Sequence, residues 1–138
     1  MNRFRQQFEA VRTQVGMYIS EPTYGSAAAW VAGYDTAAEG GVLVGFQEWL
    51  IPRVGEGSNL FWSALVLHLA FPRSENVYEE LTEGGNQAFA IDFLFRTIAQ
   101  FDDDRSKPEG LRRIYLEYER WLRTQEWYTP DSPGWLER

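Results

Sequence analysis

The chain has 138 residues and a mass of 16.0 kDa, and its 44% hydrophobic and 24% charged residues are typical of one globular domain. It contains no cysteine and a single histidine, which excludes a disulfide framework, a cysteine-based zinc site, a histidine-rich metal site and thiol catalysis. Twenty acidic residues against 13 Lys and Arg give a net charge of −7, which repels phosphate and predicts no nucleic-acid partner.

The first half of the chain is predicted to be helical. No clear strand alternation appears anywhere in the chain, and its best candidate for a strand is residues 42–46. Large apolar residues at helical spacing from Phe4 to Val15 predict a helix over residues 2–14, which ends before Gly16. A helix over residues 27–38 is rich in small residues, which would let a neighbouring helix approach closely. The predicted helices that follow cover residues 42–54, 60–70 and 75–81. The predicted capping residues of this half are Ser26, Ser58 or Asn59, and Ser74.

Two longer helices are predicted in the second half of the chain. Asn86 caps the first of them, and its apolar stripe runs to Phe101, just before the acidic run at residues 102–104. Because negative charges oppose the dipole at a helix C-terminus, this run is predicted to unwind and to be exposed. Pro108 suits the first turn of the last helix, and an irregular tail is predicted from about residue 125.

These segments predict an all-α fold, a single compact domain over residues 1–138 that is built from about six or seven helices. The N-terminus lacks the apolar core of a signal peptide. The longest apolar stretch, residues 60–71, is interrupted by Ser63 and His68 and is shorter than the about 20 residues that span a bilayer. We therefore expect a cytoplasmic protein with no membrane partner. The helix at residues 60–70 is apolar nearly all round, so it is predicted to be the central buried helix.

The residues offer no constellation for catalysis or for a cofactor. His68 lies within an apolar helix and has no nucleophile or second ligand nearby in the sequence, so no catalytic residue is assigned and no enzyme is expected. The glycine-rich turns do not continue into the Gly-Lys-Ser/Thr of a phosphate loop. Neither acidic run has the spacing of a calcium loop, and we expect no metal and no cofactor.

Acidic and aromatic side chains are the candidate binding residues. The two acidic runs form either a solvated face or a surface that attracts a basic protein. The aromatic tail residues either pack the tail onto its own domain or act as a binding hot spot, where Trp and Tyr are enriched. The candidate partner-binding residues are Glu79, Glu80, Glu83, Asp102, Asp103, Asp104, Trp127 and Tyr128. The candidate residues of an interhelical pocket are Tyr18, Tyr24, Tyr34 and Trp62.

Four segments between about residues 10 and 70 carry a resemblance to a known group. In chain order they are Val15-Gly16-Met17-Tyr18-Ile19, Gly33-Tyr34, Gly45-Phe46-Gln47-Glu48-Trp49-Leu50 and Asn59-Leu60-Phe61-Trp62. Their order resembles a group of small bacterial proteins that share a Gly-Met-Tyr-x-Gly turn and a Gly-Phe-x-x-Trp helix, and Ser20 stands where the group has its second glycine. The resemblance implies an immunity protein of a polymorphic toxin system, and it implies no catalytic residues.

Three functions remain open at this point. The first is a cytoplasmic binding protein, an immunity protein that neutralises a cognate bacterial toxin by occluding its active site. The second is a homo-oligomeric adaptor domain that associates through aromatic surface. The third is a small-molecule sensor whose ligand lies in the interhelical pocket.

Overall fold

The computed structural model describes residues 3–57 and 59–128, and within these ranges the chain forms eight helices and no strand. The helices are α1 (Arg3–Thr13), α2 (Val15–Tyr18), α3 (Tyr24–Ala37), α4 (Phe46–Val54), α5 (Trp62–Ala70), α6 (Val77–Glu80), α7 (Asn86–Arg105) and α8 (Gly110–Arg123). The all-α fold class predicted from the sequence is confirmed. The helix count exceeds the prediction because α2 is a separate turn of four residues.

Helix α7 is the centre of the fold. It has 20 residues, which makes it about 30 Å long, and α1, α3, α4, α5 and α8 pack against it. Its inward side from Ile91 to Phe101 is buried, and Phe101 lies against Phe46 with 5.1 Å between ring centroids. The prediction that the helix at residues 60–70 is central is therefore only partly right. Helix α5 is buried over most of its length, but it is too short to contact as many neighbours.

Helix starts differ from the prediction where side-chain caps and turns decide them. Gly16 does not end helical structure, because it lies within α2. Thr23, not Ser26, is the N-cap of α3. The Ser26 backbone N–H donates to Thr23 Oγ1 at 3.0 Å, and the Thr23 N–H donates to Ser26 Oγ at 2.9 Å. This reciprocal pair satisfies backbone donors at the beginning of α3.

The remaining helix starts move by one to four residues. Asn76 replaces Ser74 as the N-cap of α6, Gly85 replaces Asn86 for α7, and Phe61 stands before α5 in place of Asn59. The alternative cap at Ser58 lies outside the described residues. Helix α4 starts only at Phe46, because Gly45 has a φ of 89° in the left-handed region, and α8 starts at Gly110, two residues after Pro108.

The prediction that residues 102–104 unwind is wrong, because α7 continues through them and ends at Arg105. Asp102 is buried, with 4% of its surface exposed. Arginine side chains from elsewhere in the chain surround the run, and their charge outweighs the unfavourable helix dipole, which amounts to about 1 kcal/mol or less. Within the described ranges no helix is long and apolar enough to cross a membrane.

Candidate functional site

The carboxylate of Asp102 joins three parts of the chain. Arg5 on α1 donates to Asp102 Oδ2 at 3.1 Å, and Arg105 donates to Oδ1 at 2.9 Å. The same Arg105 guanidinium donates to the backbone carbonyls of Val42 and Val44 at 2.8 and 2.9 Å. Asp102 and Arg105 thus fix α1 and the turn before α4 onto α7, which makes Asp102 a structural residue.

Asp104 joins α7 to α4 and α8 in a similar way. Its carboxylate accepts a hydrogen bond from Trp49 Nε1 at 3.0 Å and one from Arg113 at 2.6 Å, and Arg53 and Lys107 lie within 4 Å. Of the predicted acidic surface at 102–104, only Asp103 has an exposed side chain, at 70%, and it also pairs with Arg5 at 2.7 Å. The expected exposed acidic surface is therefore wrong for Asp102 and Asp104, because both are neutralised within the chain.

Acid is expected to weaken the junction that Asp104 forms. Burial alone would raise the pKa of Asp104, but the hydrogen bond from Trp49 and the charge of Arg113 hold it below its ordinary value of 3.8. A carboxylate with a lowered pKa stabilises the fold above its unfolded pKa, and it loses that contribution as the pH falls through the folded value. We expect Asp104→Asn to be clearly less stable than the parent chain near pH 7, with a difference that shrinks below about pH 4.

Urea denaturation across this pH range measures the effect. Glu56→Gln, a change at an exposed loop residue, is the control and should show no such pH dependence. A difference between Asp104→Asn and the parent that is as large at about pH 3 as at about pH 7 would contradict the assignment.

The glutamates around α6 differ from the aspartates of α7. Glu79 and Glu83 are exposed and Glu80 is half-buried. Within the described residues, none of the three carboxylates forms an ion pair or a side-chain hydrogen bond, whereas those of Asp102 and Asp104 each have at least two cations in contact. These glutamates are therefore free to meet charge from outside the chain.

Two stretches of the sequence contain acidic residues but no Lys or Arg. Residues 13–52 hold four acidic residues and residues 74–95 hold five, and neither segment contains a Lys or Arg. Around α6, Glu79 and Glu83 are exposed, and Arg73 lines the same cavity as Glu80. Positive charge concentrates instead on α1, the end of α7 and α8, where arginines pair with the aspartates of α7.

Two of the four predicted pocket residues, Tyr24 and Trp62, meet in an open groove between α3 and α5, which we call the α3–α5 groove. The groove has a volume of about 300 Å³. Its walls include Phe61 and Tyr78, which are 65% and 59% exposed, and its α3 side is lined by Gly25, Ala28, Ala29 and Ala32.

The Tyr24 hydroxyl donates to the Ser63 carbonyl at 2.5 Å, and burial raises the pKa of this phenol well above its usual value. Tyr24 is thus a fixed, neutral wall of the groove.

The other predicted site residues lie elsewhere. Tyr34 packs against Phe8 and Trp30, with ring centroids 5.1 and 5.5 Å away, and so faces α1. Tyr18 is exposed at the end of α2. In the segment after α8, Trp127 is exposed and Tyr128 is half-buried. The four predicted pocket residues therefore do not form one pocket. Tyr24 and Trp62 lie in the groove, Tyr34 faces α1, and Tyr18 is exposed.

Sequence reasoning missed Phe61 and Tyr78, the two most exposed aromatic residues of the groove. Neither belongs to a periodic apolar stripe, because Phe61 precedes α5 and Tyr78 lies in a helix of four residues. The available signals were that each lies next to a predicted site residue, Trp62 and Glu79 respectively, and that Phe61 lies in the 59–62 segment of the resemblance. Exposed aromatic residues beside unpaired carboxylates form a surface suited to protein binding.

Within the described residues, no group of three or more His, Asp or Glu side chains is placed to hold a metal ion. The chain matches no protein-family model, no curated protein and no solved structure. The α3–α5 groove with the adjacent α6 glutamates is the candidate site.

Proposed function

We propose that this chain is a cytoplasmic immunity protein, a binding protein that neutralises a cognate bacterial toxin by occluding a basic active site. The observation that carries the proposal is the group of unpaired carboxylates, Glu79, Glu80 and Glu83, beside the exposed rings of Phe61 and Tyr78. The proposed activity is binding, without catalysis by this chain.

Charge and aromatic area act at different stages of such an interaction. Unpaired carboxylates such as Glu79 and Glu83 attract a basic partner and raise the association rate. Exposed tyrosine and phenylalanine rings then supply contact area at a low entropic cost and slow dissociation. Together they suit a tight inhibitor of an enzyme with a positively charged cleft.

The resemblance of segments between about residues 10 and 70 to a group of small bacterial proteins, which implies an immunity protein, supports the same proposal, because part of the groove comes from this region. Trp62 and Phe61 close the Asn-Leu-Phe-Trp segment at 59–62, and both rings line the α3–α5 groove. Trp127 and Tyr128 are proposed as a second, smaller contact area, since the Trp127 ring is exposed.

Charge reversal at Glu79 tests the proposal. The partner is first isolated from native lysate with the tagged chain and identified by mass spectrometry, and its affinity is then measured at moderate salt. We expect Glu79→Lys to weaken binding of a basic toxin domain by about tenfold or more, mainly through a slower association rate. Glu56→Lys changes the net charge equally at an exposed loop, and it should alter the affinity by less than about threefold.

Equal affinities of the two variants would remove the α6 glutamates from the interface. Retention of a second copy of the chain alone would favour the homo-oligomeric adaptor, and retention of a small ligand alone would favour the sensor. Charge reversal of Asp103, which is exposed but already paired with Arg5, should have a smaller effect than reversal of Glu79.

A further inference from the structure

We propose that the α3–α5 groove receives one helix of the partner, a basic amphipathic helix. Its apolar side would lie along the outward face of α3, and its Lys or Arg side chains would meet Phe61, Tyr78 and the α6 glutamates. This inference rests on the proposed function, because it names the element of the partner that binds there.

The outward face of α3 leaves room for the backbone of another helix. Ala27 and Val31 are fully buried on the inward side. The outward residues follow helical spacings of three and four, and all are small: Gly25, Ala28, Ala29, Ala32, Gly33 and Thr36. Two helices pack with their axes 8 to 10 Å apart, according to the size of the side chains between them, and small residues favour the shorter distance.

This face lacks the polar side chains that solvent-facing helices normally carry. Asp35 is the one charged residue of α3, and its carboxylate accepts the backbone N–H groups of Val42 and Leu43 at 3.1 and 2.8 Å. The Thr36 hydroxyl donates to the Ala32 carbonyl at 2.9 Å. The outward face therefore presents few free hydrogen-bonding groups to water and suits contact with an apolar surface.

The chain itself does not require glycine at two positions of this face. Gly33 has no atom within 4 Å of the place that a Cβ would occupy, and the nearest atom for Gly25 is Thr23 Oγ1 at 3.9 Å. Neither residue has a positive φ. Because glycine destabilises a helix interior relative to alanine, Gly33 costs stability that alanine would restore. Close packing of a partner helix on α3 would explain why glycine stands at these positions.

Charge identifies the helix as basic. The groove is lined by uncharged residues, and the exposed, unpaired Glu79 directly follows Tyr78 of its wall. At the start of α3, Glu21 is exposed, and its backbone carbonyl accepts the Ser26 hydroxyl at 3.1 Å. Lys or Arg side chains of the partner can stack on the aromatic walls and pair with these carboxylates. A second copy of this chain would bring like charges together instead.

The test uses the full chain and two synthetic probes of about 18 residues that contain only Lys, Ala and Leu, apart from two central prolines in the second. The first has the spacing of an amphipathic helix, and the second has the same charge but cannot form a continuous helix. We expect the helical probe to bind at least about tenfold more tightly than the proline probe. Titration calorimetry measures both affinities.

Gly33→Gln then places a long side chain on the outward face of α3. Gly16→Gln is the matched control, because Gly16 is an exposed glycine of α2 that also has no atom within 4 Å of the place of a Cβ. We expect Gly33→Gln to weaken the helical probe by about tenfold while raising the melting temperature, because glutamine is the better helix former. The control should change the affinity by less than about twofold. Weaker binding with higher stability rules out unfolding as the cause.

Equal binding of both probes, or no effect of Gly33→Gln on the helical probe, would overturn the helix inference. If Glu79→Lys still weakened the native partner, the proposed function would stand with a different element in the groove. A concentration-dependent dimer that Gly33→Gln abolishes, with neither probe bound, would assign the groove to a second copy and also overturn the inference.

Discussion

Replacing Arg105 by alanine is expected to lower the free energy of unfolding by about 3 to 5 kcal/mol, the usual effect of removing one partner from a buried ion pair. The Arg105 side chain is 13% exposed and that of Asp102 only 6%. Without the guanidinium, Asp102 keeps Arg5 but loses the pair at 2.9 Å, and the carbonyls of Val42 and Val44 lose their donor. The contact of the guanidinium with the Phe101 ring, at 4.5 Å, is lost as well.

Arg96→Ala is the control for this prediction, because it removes a cation from the same helix. Arg96 is 64% exposed and pairs with Asp92 one helical turn away, an arrangement that contributes about 0.5 kcal/mol or less. Urea denaturation of both variants at neutral pH measures the difference. Losses of similar size in the two variants would show that the Arg105 network does not hold the turn before α4 in place.

The Arg105 network also shows why part of the fold could not be predicted from the sequence. Long amphipathic stripes predicted α1 and α7 well, because they depend only on local spacing. Whether residues 102–104 stay helical depends on Arg5, which is 97 residues away from Asp102 in the chain. A local rule about the helix dipole predicted unwinding, and a tertiary ion pair of greater energy reversed it.

The candidate site was predictable to a similar extent. The prediction that the small residues of α3 would let another helix approach was made from composition alone, and most of these residues do face outward in the structure. The pairing of Tyr24 with Trp62 was within reach, whereas the contribution of Phe61 and Tyr78 was not, because short irregular segments place them. The sequence does not show that Glu79 is unpaired and Asp104 is neutralised within the chain, because this depends on where the arginines lie in the fold.

Replacing Gly110 by alanine is expected to lower the free energy of unfolding by about 3 kcal/mol or more, although the change adds a single methyl group. A Cβ on this residue would lie 2.2 Å from the Arg105 carbonyl oxygen, 2.6 Å from its carbon and 2.7 Å from the Asp104 carbonyl oxygen. These atoms belong to the backbone at the end of α7, so no side-chain rotation can relieve the overlap. Helix α8 would have to shift away from α7.

Gly33→Ala is the opposite case and serves as the control, because its Cβ meets no atom within 4 Å. It should raise the free energy of unfolding by about 0.5 to 1 kcal/mol. If the free energy of unfolding of Gly110→Ala were within about 1 kcal/mol of that of the parent, α8 would be able to shift at little energetic cost. We expect the opposite, since α8 carries Arg113 to Asp104 at 2.6 Å, and a shift of α8 would break this pair together with the packing of α8 on α4.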